Sequence, residues 1–351
     1  MRLLICTQKV DLNDGVLGFI HRWVEEFAKR FEEVIVICLE KGEFKLPENV
    51  KVFSLGKEVN SSRLRYIINF YKFLWLERNS YDVVFVHMIY EYVILGGFFW
   101  RLSKKRIGLW YAHGHTPLLL RLAEILSHVI FTSTRSGFRL RSRKLKVVGQ
   151  GIDTEYFNCS LERKEGIFSI ISVGRISPVK DYLTLIKAAK ILADAGASFR
   201  INIIGKPVRS ADGRYFEWLK EKIKNAGLES SFSFLGEVAN VRLKGHLCTA
   251  NLFVNMSQTG SLDKAILEAM AAGLPVLTCN EALSEILEEH QSLLMYTKRN
   301  YHQLAGKIEM ISDFSQEERQ QLGLKLRQIV VRDHHISGLI NKIAYDLSPS
   351  A

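Results

Sequence analysis

The sequence predicts an α/β protein built from two doubly wound, parallel-sheet domains. Short apolar segments rich in β-branched residues alternate with amphipathic segments along almost the whole chain. This rhythm is typical of parallel sheets that are covered by helices on both faces. The chain has 351 residues, which is long for one hydrophobic core and sufficient for two. A polar stretch at 151–166 interrupts the alternation, and we place the domain boundary within it.

The first half of the chain is expected to form one sheet of short, buried strands. The segments with strand character are RLLICT, VIVICL, VKVFSL, DVVFVH, IGLWYAH, HVIFTS and LKVVG. Helical periodicity between them predicts helices over about 18–30, 62–79, 90–103, 117–126 and 133–141.

The second half repeats the architecture without repeating the sequence. Its strand segments are FSIISV, FRINIIG, FSFLG, NLFVNM and LPVLT. Helices are expected near 181–195, 214–226, 240–248, 262–272, 281–289, 301–311, 315–330 and 335–346. We therefore predict domains at 1–155 and 156–330 and a final helical segment at 331–351. Ligands of open α/β sheets collect beyond the carboxyl ends of the strands, so the cleft between the domains is the expected site.

Composition excludes disorder, because 47% of the residues are hydrophobic and 24% are charged. The cysteines are odd in number, lie far apart and form no CxxC motif, so we expect neither a disulfide framework nor a zinc site. A reducing cytoplasm fits that usage. No apolar run has the length of a secretory signal or of a membrane span, which predicts a soluble or peripheral protein.

Positive charge concentrates in the first half of the chain. The net charge is +11, and residues 1–160 carry 24 Lys and Arg against 16 Asp and Glu. The clusters at 101–106 and 135–146 are each compatible with an ordinary solvated surface. Together they indicate an anionic partner such as a membrane surface or a phosphorylated lipid. The pI of about 9.3 makes nucleic-acid binding an alternative function. No recognition motif accompanies the charge, so a nucleic-acid partner is not expected.

The stretch SIISVGRISPVKDYLTLIKAAKIL, at 169–192, places two cations between a strand and a helix. Gly174 ends the strand, and Arg175 and Lys180 follow it. A cation at a helix start opposes the helix dipole, and a bound phosphate would remove the conflict. The alternative is two surface cations with Asp181 as a plain helix cap, and the pattern alone is moderately specific.

A second stretch, SQTGSLDKAILEAMAAGLPVLT at 257–278, repeats this logic. Gly260 and Ser261 offer a flexible backbone whose amides can form an anion nest. Lys264 stands in the first turn of the next helix, and Glu268 follows one turn later on the same face. An ordinary surface ion pair is the alternative, which the apolar flanks of this helix disfavour.

In order and separation, these stretches resemble the donor-binding half of glycosyltransferase family 4, the retaining group 1 enzymes with the GT-B fold of two Rossmann-like domains facing a cleft. The resemblance implies that Arg175 and Lys180 hold the diphosphate of a sugar nucleotide. It also implies that Glu268, in LEAMAAGLPV, binds the ribose hydroxyls. The family's usual first Glu, eight residues earlier, is replaced by Gly260, which leaves the identity of the sugar open.

The first half resembles the family more loosely. Gly18, at the start of the first helix, is similar to part of a glycine-rich loop that approaches the donor or acceptor, and it also suits a plain turn. His113, in IGLWYAHGHT, matches the family's active-site histidine, which implies contact with the transferred sugar. A core or turn role, or a metal pair with His115, is the alternative, and His87 is a weaker candidate for the same task.

The resemblance implies transfer of a sugar from a nucleotide-diphosphate sugar to an acceptor hydroxyl with retention of configuration. No DxD motif is present, and the family pattern implies no cofactor and no divalent metal. The amphipathic, basic segments at 63–75 and 88–106 suggest a lipid-linked glycan or polysaccharide acceptor at the inner face of the membrane. An epimerase or phosphorylase on the same fold, and a non-catalytic relative, remain alternatives. The final helix is expected to cross back onto the first domain.

Overall fold

In the computed structural model, which describes residues 1–159, 166–258 and 261–348, the chain forms two compact units. Unit 1 comprises 1–151, 239–241 and the chain from 333 onward, and unit 2 comprises 152–238 and 242–332.

Unit 1 contains a seven-stranded sheet in the order β3-β2-β1-β4-β5-β6-β7, with every pair parallel. Its strands are β1 Leu3–Val10, β2 Val34–Lys41, β3 Val50–Ser54, β4 Val83–His87, β5 Arg106–Trp110, β6 Val129–Thr132 and β7 Leu145–Val147. Its first helices are α1 Phe19–Ala28, α2 Arg63–Leu76, α3 Tyr90–Leu102 and α4 Leu118–Leu126.

Unit 2 contains a five-stranded parallel sheet in the order β10-β9-β8-β11-β12. Its strands are β8 Phe168–Val173, β9 Phe199–Ile204, β10 Phe232–Gly236, β11 Leu252–Asn255 and β12 Val276–Thr278. Helices follow at α5 Tyr182–Asp194, α6 Ser210–Asn225, α7 Asn240–Thr249, α8 Lys264–Ala271, α9 Ser284–Leu287, α10 Gln291–Leu294, α11 Tyr301–Asp313 and α12 Gln316–Asp333. The last helix, α13 Ile336–Leu347, lies in unit 1, where it packs against α1 and β5.

Both faces of the unit 1 sheet are buried, which explains why its strands are apolar throughout. Leu3 and Ile5 of β1 point into the core shared with α1 and α13. Their neighbours Leu4 and Cys6 point to the opposite core, beneath α2, α3 and α4. Alternate residues of a strand face opposite sides of the sheet, so each side receives its own apolar set. The predicted α/β fold with two parallel sheets is confirmed.

Two predictions about the structure were wrong. The helix expected at 133–141 is reduced to a single 3₁₀ turn at Arg135–Gly137. Thr132 donates its hydroxyl to the Thr134 carbonyl, a local hydrogen bond that competes with helix formation. Cys159 and Cys248 form a disulfide, although their 89-residue separation gave no sequence signal. The cysteine argument for a reducing compartment therefore loses its basis.

Among the described residues, no helix combines the length and the apolar character needed to cross a bilayer.

Candidate functional site

The loop after β8 packs closely against the loop after β9 at the carboxyl ends of the unit 2 strands. Gly174 has φ +156° and donates its amide to the Ile204 carbonyl at 2.9 Å. Gly205 has φ +147°, and a β-carbon there would lie 1.9 Å from the Gly174 carbonyl oxygen. Two glycines are therefore required where these loops touch.

The two motifs that the sequence singled out meet in this region, because β8 and β11 are neighbours in the sheet. The Lys180 ammonium forms an ion pair with the carboxylate of Asp263, the residue that precedes α8. Asn255, at the end of β11, donates its amide group to the same carboxylate at 3.0 Å. The Lys180 side chain also lies over Gly174, where a β-carbon would approach Cε to 3.0 Å.

The start of α5 also differs from the alternative interpretation, in which Asp181 is a plain helix cap. Lys180 belongs to a 3₁₀ turn, and Asp181 adopts a left-handed conformation with φ +46° before the helix begins at Tyr182. The Asp181 carboxylate accepts hydrogen bonds from Thr184 and Gln258. Interactions with the Tyr182 and Leu183 amides favour the ionised Tyr215 hydroxyl, but burial is the stronger effect and raises the pKa of that tyrosine to about 12. The Tyr215 hydroxyl is therefore neutral at the start of α5, where the negative charge of Asp181 also raises its pKa.

Arg175 is exposed and lies two residues beyond the end of β8. Ser177 is buried and extended, the conformation that a following proline favours, and Pro178 begins the 3₁₀ turn. Of the two predicted diphosphate ligands, the structure thus holds Lys180 in an ion pair and leaves Arg175 in solvent.

The first two charged residues of helix α8, Lys264 and Glu268, are half-buried and buried. Glu268 is only 3% exposed, which rules out an ordinary surface pair. Burial lowers the pKa of the half-buried Lys264 to about 8, and attraction to Glu268 and Asp153 opposes that shift. Ser261 accepts a hydrogen bond from Asn280 through its carbonyl at 2.7 Å. Gly260 lies outside the described residues.

Sequence reasoning missed a buried polar cluster at the ends of β11 and β12. The Asn255 side-chain oxygen accepts from the Thr278 hydroxyl at 3.3 Å, and Asn280 holds the loop before α8. All three side chains are at most 3% exposed. In the sequence, this cluster is visible only as a polar residue at the end of each of two apolar strands. In the structure, its hydrogen bonds hold the loop that carries Asp263.

The unit 1 candidates are placed differently. His113 is exposed, three residues beyond β5, and its Nδ1 accepts the His115 amide at 3.0 Å. His87 is buried against Trp23, with ring centroids 5.5 Å apart. Gly18 precedes α1, and a β-carbon there would lie 2.4 Å from the Asp14 carbonyl oxygen, so the turn itself requires glycine. Within the described ranges, no group of three or more metal-ligating side chains is present.

Models of known protein families match sequence in both units. A family model described as "Glycosyl transferases group 1" matches residues 154–328, and one described as "Glycosyl transferase 4-like" matches residues 12–116. The chain is 30% identical over 159 residues to the amylovoran biosynthesis glycosyltransferase AmsK of Erwinia amylovora. It is 30% identical over 110 residues to the mannosylfructose-phosphate synthase of Agrobacterium fabrum. These alignments cover 43% and 31% of this chain, and 38% and 24% of the relatives' lengths.

Similar solved structures cover the whole chain. Anabaena HepE, solved in complex with UDP and glucose, has a TM-score of 0.78 at 18% identity, with 100% of both chains covered. Sucrose-phosphate synthase from Thermosynechococcus elongatus has a TM-score of 0.75 at 13% identity, with 98% of both chains covered. At such identities the likeness establishes the fold.

Proposed function

Since the chain belongs to the group 1 glycosyl transferases and has the GT-B fold, we propose that it transfers a sugar from a nucleotide-diphosphate sugar to an acceptor hydroxyl. The relatives named above include sugar-transferring enzymes, and the HepE structure contains UDP and glucose. The assignment of this reaction to the present chain is our inference.

The observation that carries the proposal is the meeting of the two motif loops at the ends of β8 and β11. Ligands of open α/β sheets bind where the strand order reverses, and here β8 connects onward to β9 on one side while β11 lies on the other. Lys180 is held at this point and Arg175 is exposed beside it. Two cations there favour a diphosphate.

In the proposed mechanism, Arg175 and Lys180 stabilise the charge that develops on the departing diphosphate. To do so, Lys180 exchanges the Asp263 carboxylate for a phosphate oxygen. Glu268 accepts hydrogen bonds from the ribose hydroxyls, and we propose Gly260 and Ser261 as further donor-binding residues. We propose that transfer proceeds with retention and without a divalent metal, the leaving phosphate accepting the proton of the incoming hydroxyl.

For unit 1 we propose the acceptor role. His113, exposed after β5, would contact the transferred sugar. Gly18 would let the loop before α1 approach the donor phosphates or the acceptor. The acceptor that we propose is a lipid-linked glycan or a polysaccharide, met at the inner face of the cytoplasmic membrane. The positive charge of the first half supports an anionic partner of this kind.

A thermal-shift screen with UDP-, GDP- and ADP-sugars tests the donor site. Ligands that bind only the folded state raise its stability, by about 2.7 kcal/mol at a hundredfold excess over Kd. We expect stabilisation by one nucleotide class and its loss in Arg175→Ala. Product analysis with the stabilising donor then separates transfer from epimerisation or phosphorolysis, which would release an epimer or a sugar phosphate without an acceptor. A chain that responds to no nucleotide sugar would refute the proposal.

A further inference from the structure

Helix α2 exposes an apolar ridge that its own packing does not require. Leu64, Ile68, Tyr71 and Trp75 recur at intervals of three and four residues, so they share one face of the helix. These side chains are between 46% and 67% exposed. The opposite face is buried through Phe70 and Leu74, so the helix is already anchored without the ridge.

The ridge continues over the two neighbouring helices. The Tyr71 hydroxyl donates to the Leu95 carbonyl at 3.0 Å, which places α2 beside α3. Helix α3 exposes Phe98 and Leu102, which are 70% and 69% exposed. Arg101 donates to the Leu126 carbonyl at the end of α4. Helix α4 in turn exposes four large apolar side chains: Leu118, Leu119, Leu122 and Ile125.

Basic side chains surround these apolar groups. Arg65 and Lys72 are exposed on α2, and Arg121 is exposed on α4. The Arg78 guanidinium lies over the Trp75 ring, 4.4 Å from its centroid. Next to α4 runs the basic segment 139–144, which Lys144 ties to that helix by donating to the carbonyls of residues 124, 125 and 127. Arg139, Arg141 and Arg143 are exposed in this segment.

We infer that the exposed surface of α2, α3 and α4, together with segment 139–144, docks unit 1 onto an anionic lipid bilayer. We call it the basic apolar surface. Apolar side chains enter the boundary between headgroups and acyl chains, and Lys and Arg bind the anionic headgroups. Arg78 and Trp75 are typical of such a boundary, where an aromatic ring and a cation sit at the level of the headgroups.

The positive charge selects this occupant over a second copy of the chain. In a twofold dimer the same surface meets itself, so the arginines and lysines of one copy would face those of the other. An anionic bilayer offers the complementary charge to all of them at once. The purpose of docking rests on the proposed function, because a lipid-linked acceptor presents its hydroxyl at the membrane. The docking itself needs neither donor nor acceptor.

Vesicle flotation tests the inference with the full chain alone. We expect flotation with vesicles containing about 30% phosphatidylglycerol at about 50 mM salt, and little with phosphatidylcholine alone. The double substitution Lys72→Glu and Trp75→Ser should lower the partition coefficient at least ~10-fold, because it reverses one charge and removes one aromatic anchor. The matched control is Leu324→Ser with Lys325→Glu on α12, where both residues are exposed, and it should float like the unmodified chain.

Circular dichroism melts verify that each variant is folded. Should the α2 variant unfold, Leu118→Ser with Arg121→Glu on α4 makes the same test, since Leu118 is 85% exposed. The inference is overturned if the unmodified chain stays at the bottom of the gradient at low salt. It is equally overturned if the α2 variant and the α12 control float alike, or if sedimentation shows a dimer that only the α2 variant breaks. None of these readings involves a nucleotide sugar, so they leave the donor screen independent.

Discussion

The loops that follow the first strand of each unit occupy the same topological position and carry opposite charge. In unit 1, the Lys9 ammonium lies 3.0–3.1 Å from carboxylate oxygens of Asp11, Asp14 and Glu40. In unit 2, Lys180 pairs with Asp263, and Arg175 adds an exposed cation. A shared architecture therefore places a ligand site, while the local charges decide whether an anion can occupy it.

The aspartates of the two loops also bind different groups. Asp14 accepts the amides of Val16 and Leu17 on its side chain, at 2.8 and 2.7 Å, so a carboxylate already fills that nest. In unit 2, the aspartate directly before α5, Asp181, accepts hydrogen bonds from the side chains of Thr184 and Gln258. The unit 2 loop is therefore the one that suits a diphosphate, and four predictions test this contrast.

The largest effect is expected at the unit 2 cations. Arg175→Ala and Lys180→Ala should each lower kcat/KM by about 30- to 1,000-fold, since loss of one charge-stabilising group costs about 2–4 kcal/mol of barrier. Steady-state kinetics with the donor found in the thermal-shift screen measures this. The matched control is Lys9→Met in unit 1, which should lower the melting temperature and leave the donor-induced shift unchanged.

Lys180→Ala also leaves Asp263 without its partner, so a folding defect must be separated from a catalytic one. The double variant Lys180→Ala with Asp263→Ala removes both charges. It should regain stability without regaining activity. Near-normal turnover in either single variant would contradict the assignment of these cations.

The two units also differ in the state of their cysteines, which is the basis of the second prediction. The disulfide between Cys159 and Cys248 lies in unit 2, whereas the unit 1 cysteines Cys6 and Cys38 are buried and free. Replacing both partners by serine should destabilise unit 2 by about 2–4 kcal/mol, because the bridge restricts the unfolded chain. Hydrogen exchange measured at increasing denaturant concentration reports the stability of each unit separately. Dithiothreitol should reproduce the loss in the unmodified chain and add nothing in the variant; a response confined to unit 1 would contradict this.

The sequence was sufficient to predict the fold because each strand is buried on both faces. Segments such as VIVICL and FSIISV can bury so much apolar surface only inside a covered parallel sheet. The pattern also places the motifs that follow β8 and β11 at the carboxyl ends of strands, where ligands of such sheets collect. That β8 and β11 are neighbours depends on the strand order, which local periodicity does not determine.

The contacts that the sequence did not reveal join residues that are far apart in the chain. The ion pair between Lys180 and Asp263 joins residues that are 83 positions apart in the chain. The disulfide spans 89 residues, and its cysteines lie in segments with no shared motif. Conversely, the periodicity at 133–141 suggested a helix, but the chain forms one 3₁₀ turn there, beside a hydrogen bond from the Thr132 hydroxyl that competes with helix formation. Tertiary geometry decided each of these cases.

The third prediction weakens the carboxylate that competes with the donor. Asp263→Asn removes the negative charge beside Lys180 and keeps a similar shape, so donor affinity should rise about fivefold, roughly 1 kcal/mol. Isothermal titration with the nucleoside diphosphate measures the change. The control is Asp14→Asn in unit 1, where the affinity should stay constant. A weaker affinity in Asp263→Asn would mean that this carboxylate positions Lys180 instead of competing for it.

The smallest effect concerns Lys264, whose pKa burial lowers from 10.5 to about 8. If its ammonium contributes to donor binding, affinity should fall about twofold to fivefold as the pH rises through 8, because the charged form is lost. Stability of the free protein changes in the opposite direction. Between pH 8 and 10.5 the unfolded chain binds more protons at this lysine than the folded chain, so this group makes unfolding costlier as the pH rises.

Lys264→Arg separates these two effects, since arginine keeps its charge throughout this range. Donor titrations of the unmodified chain at pH 7, 8 and 9 should show falling affinity, and the arginine variant should show a flat profile. Melting curves without donor should lose the stabilising rise in the same variant. Parallel pH profiles for both proteins would place Lys264 outside the donor site and assign its lowered pKa to the packing of α8 alone.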